Sequence, residues 1–246
     1  MNNLCAVILA GGKGTRMESE LPKVLHEIKG VPMIYYSIEK LLSLGIEKIV
    51  VVVGFKAEDV KKKVQEKFQP EFAYQDTPLG TGHALSCALK DINEEGDILV
   101  VNGDDSAFYR NQTLSNFIKS HLQSQAVATM MTLKMAEENS LGKIIVDSNS
   151  KFIRTIEAKE AKEQGLNSDL VNCGAYLFNI SWVKKNISKI PQSVKGEYYI
   201  TELFNIAATQ GDNVNLYSIT DQKEWVGVNT QDELSLANRL MNAQSA

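Results

Sequence analysis

Paired cysteines are missing from this chain. Its three cysteines, Cys5, Cys87 and Cys173, lie far apart, and no Cys-x-x-Cys occurs. This excludes a disulfide-stapled scaffold and points to reduced, buried thiols in a cytoplasmic setting. Histidine is equally scarce. His26, His83 and His121 lack zinc-ligand spacing, and there is no His-Glu-x-x-His. No Gly-x-Ser-x-Gly elbow is present, which argues against the hydrolases built on that turn. The first apolar run stops at Gly11 and has no basic segment before it. It therefore reads as neither a signal peptide nor a membrane span. Excess positive charge is absent too. The 26 basic and 30 acidic residues give a formal charge of -4. That disfavours a general nucleic-acid or anionic-membrane surface, though not a local phosphate site. There is no internal repeat, low-complexity tract or long linker.

What is present suits a single globular domain over residues 1–246. Hydrophobic residues make up 43% and charged residues 23%, ordinary values that allow a sizeable core. Strand-like and helix-like segments alternate through the first half. Cys5-Ala6-Val7-Ile8 and Ile49 to Val53 read as buried strands, Met33 to Leu44 and Ala57 to Phe68 as amphipathic helices. Phe72 to Tyr74 and Asp97 to Val101 read as strands, with a helix from Thr81 to Leu89 between them. The second half predicts helices over 113–122, 197–210 and 230–241. It predicts strands over 126–133, 144–146, 152–156, 170–178 and 214–219. The alternation implies an α/β fold with a Rossmann-like, mostly parallel sheet flanked by helices. A smaller lobe is expected at about residues 140–200.

The first strand runs into Leu9-Ala10-Gly11-Gly12-Lys13-Gly14-Thr15-Arg16-Met17. Three glycines in four positions allow a tight turn and close backbone approach. Their N–H groups can form an anion nest, with Lys13, Arg16 and Lys23 adding positive charge. This is neither a Walker loop nor a Gly-x-Gly-x-x-Gly fingerprint. Alone, it is as well explained as a simple strand-to-helix turn.

Three further stretches add chemistry. Asn102-Gly103-Asp104-Asp105 closes a strand. It is either a turn or a magnesium site, with either aspartate as the ligand. Gln75 carries an amide able to pair with a base edge, and Gly80-Thr81-Gly82-His83 opens a helix behind it. Asn229 is either the cap of the last helix or a metal-binding carbonyl.

Leu9 to Met17 followed by Leu21-Pro22-Lys23-Val24 resembles the signature of sugar-phosphate nucleotidyltransferases. Within these, the chain is similar to the uridylyltransferase domain of bacterial N-acetylglucosamine-1-phosphate uridylyltransferases. The similarity rests on Gln75 with Leu79 to Ala84, Gly103-Asp104, Leu141 to Ile144, Ile156-Glu157, Asn172-Cys173-Gly174, Gly196 to Thr201 and Gly227-Val228-Asn229. Departures from the usual pattern include Gly11 for alanine, Asp105-Ser106-Ala107 after Gly103-Asp104, and Cys173 for threonine or serine.

The resemblance implies a nucleotide-diphospho-sugar transferase fold whose smaller lobe binds sugar. It implies Mg²⁺-dependent transfer of UMP from UTP to a sugar-1-phosphate, with N-acetylglucosamine-1-phosphate or a similar hexose phosphate as acceptor. Leu9, Ala10, Gly11, Gly12, Gly14, Asn102 and Gly103 would contact the nucleotide, and Gln75, Gly80 and Thr81 would read its base. Arg16 and Lys23 would act on the phosphates. Asp104 and Asn229 would hold magnesium. Gly142, Glu157, Asn172 and Tyr199 would bind the sugar. Acetyl transfer is not expected, because hexapeptide repeats are missing. Two alternatives remain open: another nucleotide or acceptor, such as CTP or an alcohol phosphate, and a binding protein without turnover. The sequence leaves self-association open.

Overall fold

Continuous β-branched runs set the order of a central sheet. The computed structural model describes residues 4–93, 95–135, 141–166 and 168–243. Strand β1 (Leu4–Ala10) passes through a small antiparallel hairpin, β2 (Glu27–Ile28) and β3 (Val31–Pro32), into helix α1 (Met33–Ser43) and strand β4 (Ile49–Val53). Helix α2 (Ala57–Gln65), β5 (Glu71–Tyr74), α3 (Thr81–Ala88), β6 (Asp97–Asn102), α4 (Asn111–Ser124) and β7 (Ala128–Lys134) follow. Then come β8 (Lys143–Val146), β9 (Phe152–Ile156), α5 (Ala158–Glu163), β10 (Leu170–Asn179) and α6 (Ile180–Asn186). Helix α7 (Glu202–Gln210), β11 (Val214–Ile219) and α8 (Gln231–Ala243) complete the order.

The main strand order is β11-β7-β10-β6-β1-β4-β5. Pairs β6-β1, β1-β4, β4-β5 and β11-β7 are parallel, whereas β10 is antiparallel to both β6 and β7. The sheet is thus mostly parallel. Strand β4 shows why such sheets need helices on both faces. Val51 and Val53 pack with Ile34 and Ile38 of α1 and Val60 of α2. Val50 and Val52 pack with Ala84 and Leu85 of α3. Each valine buried this fully contributes roughly 1.5–3 kcal/mol.

Strands β8 and β9 form an antiparallel pair that branches from β10. They lie in the stretch expected as a smaller lobe, whose start near residue 140 falls outside the described residues. The helix expected over 197–210 begins only at Glu202. The preceding residues instead give their backbone groups to the α3 loop. Tyr198 N–H donates to the Leu79 carbonyl (2.8 Å), and the Tyr198 carbonyl accepts from Gly82 N–H (2.7 Å). Helices α5 and α6 and the β2-β3 hairpin come from segments whose sequence gives no clear period. No helix among the described residues is long and apolar enough to cross a membrane.

Candidate active site

The chain lays β4 and β5 on one side of β1 and then crosses to place β6 on the other. The crevice beyond the carboxyl ends of β1 and β6 is therefore the topological switch point, where such sheets bind ligands. The strand ends are knitted together there. Gly103 N–H donates to the Leu9 carbonyl (3.0 Å), and Phe55 N–H donates to the Gly11 carbonyl (3.1 Å). Gly12 and Lys13 are exposed at the rim, whereas Leu9, Ala10 and Gly11 are buried. Gly14 sits at φ 62°, and a Cβ there would lie 2.7 Å from the Cβ of Lys23. The turn thus needs glycine both for its left-handed backbone and for its packing on Lys23.

Four of the expected residues meet in this crevice. The Lys23 ammonium forms an ion pair with Asp104 Oδ2. It also donates to Asn229 Oδ1 (2.7 Å). The Arg16 guanidinium donates to the same oxygen (3.0 Å). Asn229 is not the cap of α8. Thr230 Oγ1 accepts from Glu233 N–H (3.2 Å), while Glu233 Oε2 accepts from the N–H groups of Thr230 (3.1 Å) and Asn229 (2.5 Å). This capping box leaves the Asn229 side chain turned to the cations. The Thr-x-x-Glu spacing is visible in the sequence and was the signal for it.

Asp105 behaves differently from its neighbour. It is buried, and its Oδ2 accepts from Asn102 Nδ2 (2.9 Å). Burial, reinforced by the nearby Asp104 charge, pushes its carboxyl well above the usual carboxylate range.

Beside the glycine loop, Gln75 is buried. Its amide nitrogen donates to the Gly80 carbonyl (3.0 Å) and lies 3.0 Å from His83 Nδ1. Its Oε1 lies under Gly11, where a Cβ would come within 2.9 Å of it. Thr81 Oγ1 accepts from Ile200 N–H (3.0 Å). Gly80 adopts φ 95°, and a Cβ there would meet the Tyr198 carbonyl oxygen at 2.6 Å. His83 and the Tyr198 backbone therefore shape this loop. Neither was marked as functional by the sequence, because both contacts are set by tertiary packing.

The other expected cluster lies where β8, β9 and β10 adjoin. Asn172 N–H donates to the Gly142 carbonyl (3.4 Å), and Lys143 pairs with both Val171 and Ile156. Glu157 follows β9 directly. Partial desolvation raises its carboxyl above the ordinary range, and Lys195 opposes that rise. Glu157 and Tyr199 line one open cleft of about 1810 Å³, together with Lys143, Lys195 and Glu202. The side-chain amide of Asn172 is fixed at both ends. Its Oδ1 accepts from Gly174 N–H (2.9 Å) and its Nδ2 donates to the Tyr176 hydroxyl (2.7 Å).

A switch-point crevice with a glycine loop, two converging cations and a neighbouring polar cleft defines a nucleotide-binding α/β domain. The chain matches the family described as Nucleotidyl transferase over residues 5–244, and it belongs to that family. It is 33% identical over 238 residues to a "Bifunctional protein GlmU" of Desulfitobacterium hafniense, covering 96% of this chain and 52% of the relative. It is 36% identical over 243 residues to the protein of that name from Bacillus cereus, covering 98% and 52%. The chain thus spans about half the length of the curated relatives it matches. Among solved structures, it is similar to a putative glucose-1-phosphate thymidylyltransferase from Bacillus anthracis crystallised with a sucrose. That likeness has a TM-score of 0.81 at 22% identity, over 96% of this chain and 94% of the other.

Proposed function

We propose that this chain is a sugar-1-phosphate uridylyltransferase. A phosphate oxygen of the sugar-1-phosphate attacks the α-phosphorus of UTP. The bond from that phosphorus to the bridging oxygen of the β-phosphate breaks, and pyrophosphate leaves as UDP-sugar forms. The observation that carries this reading is the meeting of Arg16, Lys23, Asp104 and Asn229 beside the glycine loop.

Both reactants are already anionic, so the chain's work is alignment and charge neutralisation. The glycine loop receives the triphosphate through its backbone N–H groups. Arg16 and Lys23 offset charge on the α-phosphate and on the leaving group. Gln75, Gly80 and Thr81 border the base. Asn102 and Gly103 lie along the nucleoside. Gly142, Glu157, Asn172 and Tyr199 receive the sugar, with N-acetylglucosamine-1-phosphate or a similar hexose phosphate as acceptor. No general base is required, because the attacking phosphate is ionised near neutral pH.

The oxygens of Asp104 and Asn229 already share one cationic nitrogen, that of Lys23. Two hard oxygen donors converging on one positive centre suit Mg²⁺, which takes one or two protein oxygens and completes its shell with phosphates and water. Asp104 and Asn229 would hold that ion, which would supply Lewis-acid polarisation of the phosphoryl oxygens.

The test is pyrophosphate release from nucleoside triphosphates with a panel of sugar-1-phosphates and Mg²⁺. Release with UTP and a hexose phosphate is expected. Folded protein that releases none with any pair refutes the reading.

A further inference from the structure

After the Gly103-Asp104 pair this chain carries Asp105. Valine would be the stable choice, since the site is buried and Asp105 Oδ1 has no hydrogen-bond partner among the described residues. A buried, half-satisfied carboxyl lowers stability. Its geometry shows what the carboxyl does. Asp105 Oδ2 accepts from Asn102 Nδ2 (2.9 Å), and both atoms press on one face of Gly174. A Cβ on Gly174 would fall 2.3 Å from Asn102 Nδ2 and 2.5 Å from Asp105 Oδ2.

Gly174 stands in the left-handed region at φ 74°, inside the irregular stretch of β10 between Asn172 and Tyr176. Its N–H holds Asn172 Oδ1, and Tyr109 anchors the adjoining Cys173 carbonyl. The Asp105–Asn102 pair thus backs the bulge that carries Asn172.

We propose that Asp105 is a positioning residue for the acceptor. It holds the Asn102 amide against Gly174 and thereby sets the β10 bulge that presents Asn172. The inference rests on the acceptor role given to Asn172 above. Asp105 itself touches neither reactant.

Two variants test it. Asp105→Ala removes the clamp. Asp105→Asn keeps an oxygen that accepts from Asn102. The alanine variant is expected to raise KM for the sugar-1-phosphate about tenfold, the scale of one lost hydrogen bond, while KM for UTP rises clearly less, through the released Asn102 amide. Its melting temperature should hold or rise, and the asparagine variant should restore the sugar KM. Equal rises in both KM values, or a fall in melting temperature with KM unchanged, overturn the proposal. Loss of turnover in Asp105→Asn with a shifted Mg²⁺ requirement also overturns it, by making the carboxylate a metal ligand. Amide hydrogen exchange at Gly174 needs no turnover. Faster exchange in the alanine variant alone supports the clamp, and unchanged exchange refutes it. If the wild type turns over no substrate pair, the uridylyltransferase reading fails and the exchange result still decides the clamp.

Discussion

The Lys23 ammonium bridges Asp104, just past the end of β6, to Asn229, which stands just ahead of α8 and 206 positions beyond Lys23 in the sequence. The stem that carries the ammonium is what Gly14 packs on as the glycine loop closes. Lys23 therefore has two jobs, cation and buttress, and substitutions can separate them. Lys23→Met keeps the stem that packs on Gly14 and removes the charge. Turnover should fall about 10²–10³-fold with little change in melting temperature. Pyrophosphate release near the wild-type rate would remove Lys23 from the chemistry.

Asp104 and Asp105 should separate just as clearly. Asp104→Ala is expected to abolish Mg²⁺-dependent release and leave the circular dichroism spectrum intact. Asp105→Ala should retain turnover at saturating sugar phosphate. The reverse pattern would move the metal role to Asp105.

Gly11→Ala places a methyl group against Gln75 Oε1, at the 2.9 Å separation found for its Cβ. Gln75 is also held by Gly80 and His83. Its displacement should loosen the loop at Gly80 and raise KM for UTP several-fold, about 1 kcal/mol of binding. The sugar-phosphate KM should not move. An unchanged UTP KM would show that Gln75 has no part in nucleotide affinity.

Gly80→Ala combines a backbone at φ 95° with a Cβ held 2.6 Å from the Tyr198 carbonyl. Strain of about 1–3 kcal/mol is expected from the backbone alone, and the overlap adds to it. Thermal denaturation should show a melting temperature lower by several degrees or more. A neutral result would mean that the 198–200 segment yields easily.

His26 carries a pH signature. Desolvation holds its imidazole below the ordinary value of 6.5, and its Nε2 is buried without a partner among the described residues. In the window below that value the unfolded chain binds more protons than the folded one. Stability therefore grows as pH rises through the window and is lost as pH falls below it. Denaturant melts from pH 7 to 5 should show a steeper decline for wild type than for His26→Gln. Parallel curves would assign the acid loss to other groups.

The β-α-β start of the chain is legible in its sequence because each strand is buried on both faces and each helix ends on glycine or a charged turn. Ile49 to Val53 is the clearest case. Residues 197–201 are not legible. Their polar and aromatic pattern suits a helix, but Leu79, Gly82 and Thr81 capture their backbone groups from more than a hundred positions away. Asn229 shows the same limit at the site. Its position just before a helical pattern suits a cap, and only the Thr230–Glu233 box frees it for other work. The hairpin β2-β3 has two residues per strand, too few for any period to register.

Asn229 also fixes when the site can exist. The loop containing Arg16 is made well before the oxygen it grips, which lies 213 positions later. A nascent chain can assemble β1, β4, β5 and β6 and still lack the carbonyl that gathers its two cations. The crevice then exists before it is complete. Its completion needs the α8 segment, which Gln231 pins by donating to the Met17 carbonyl (2.8 Å).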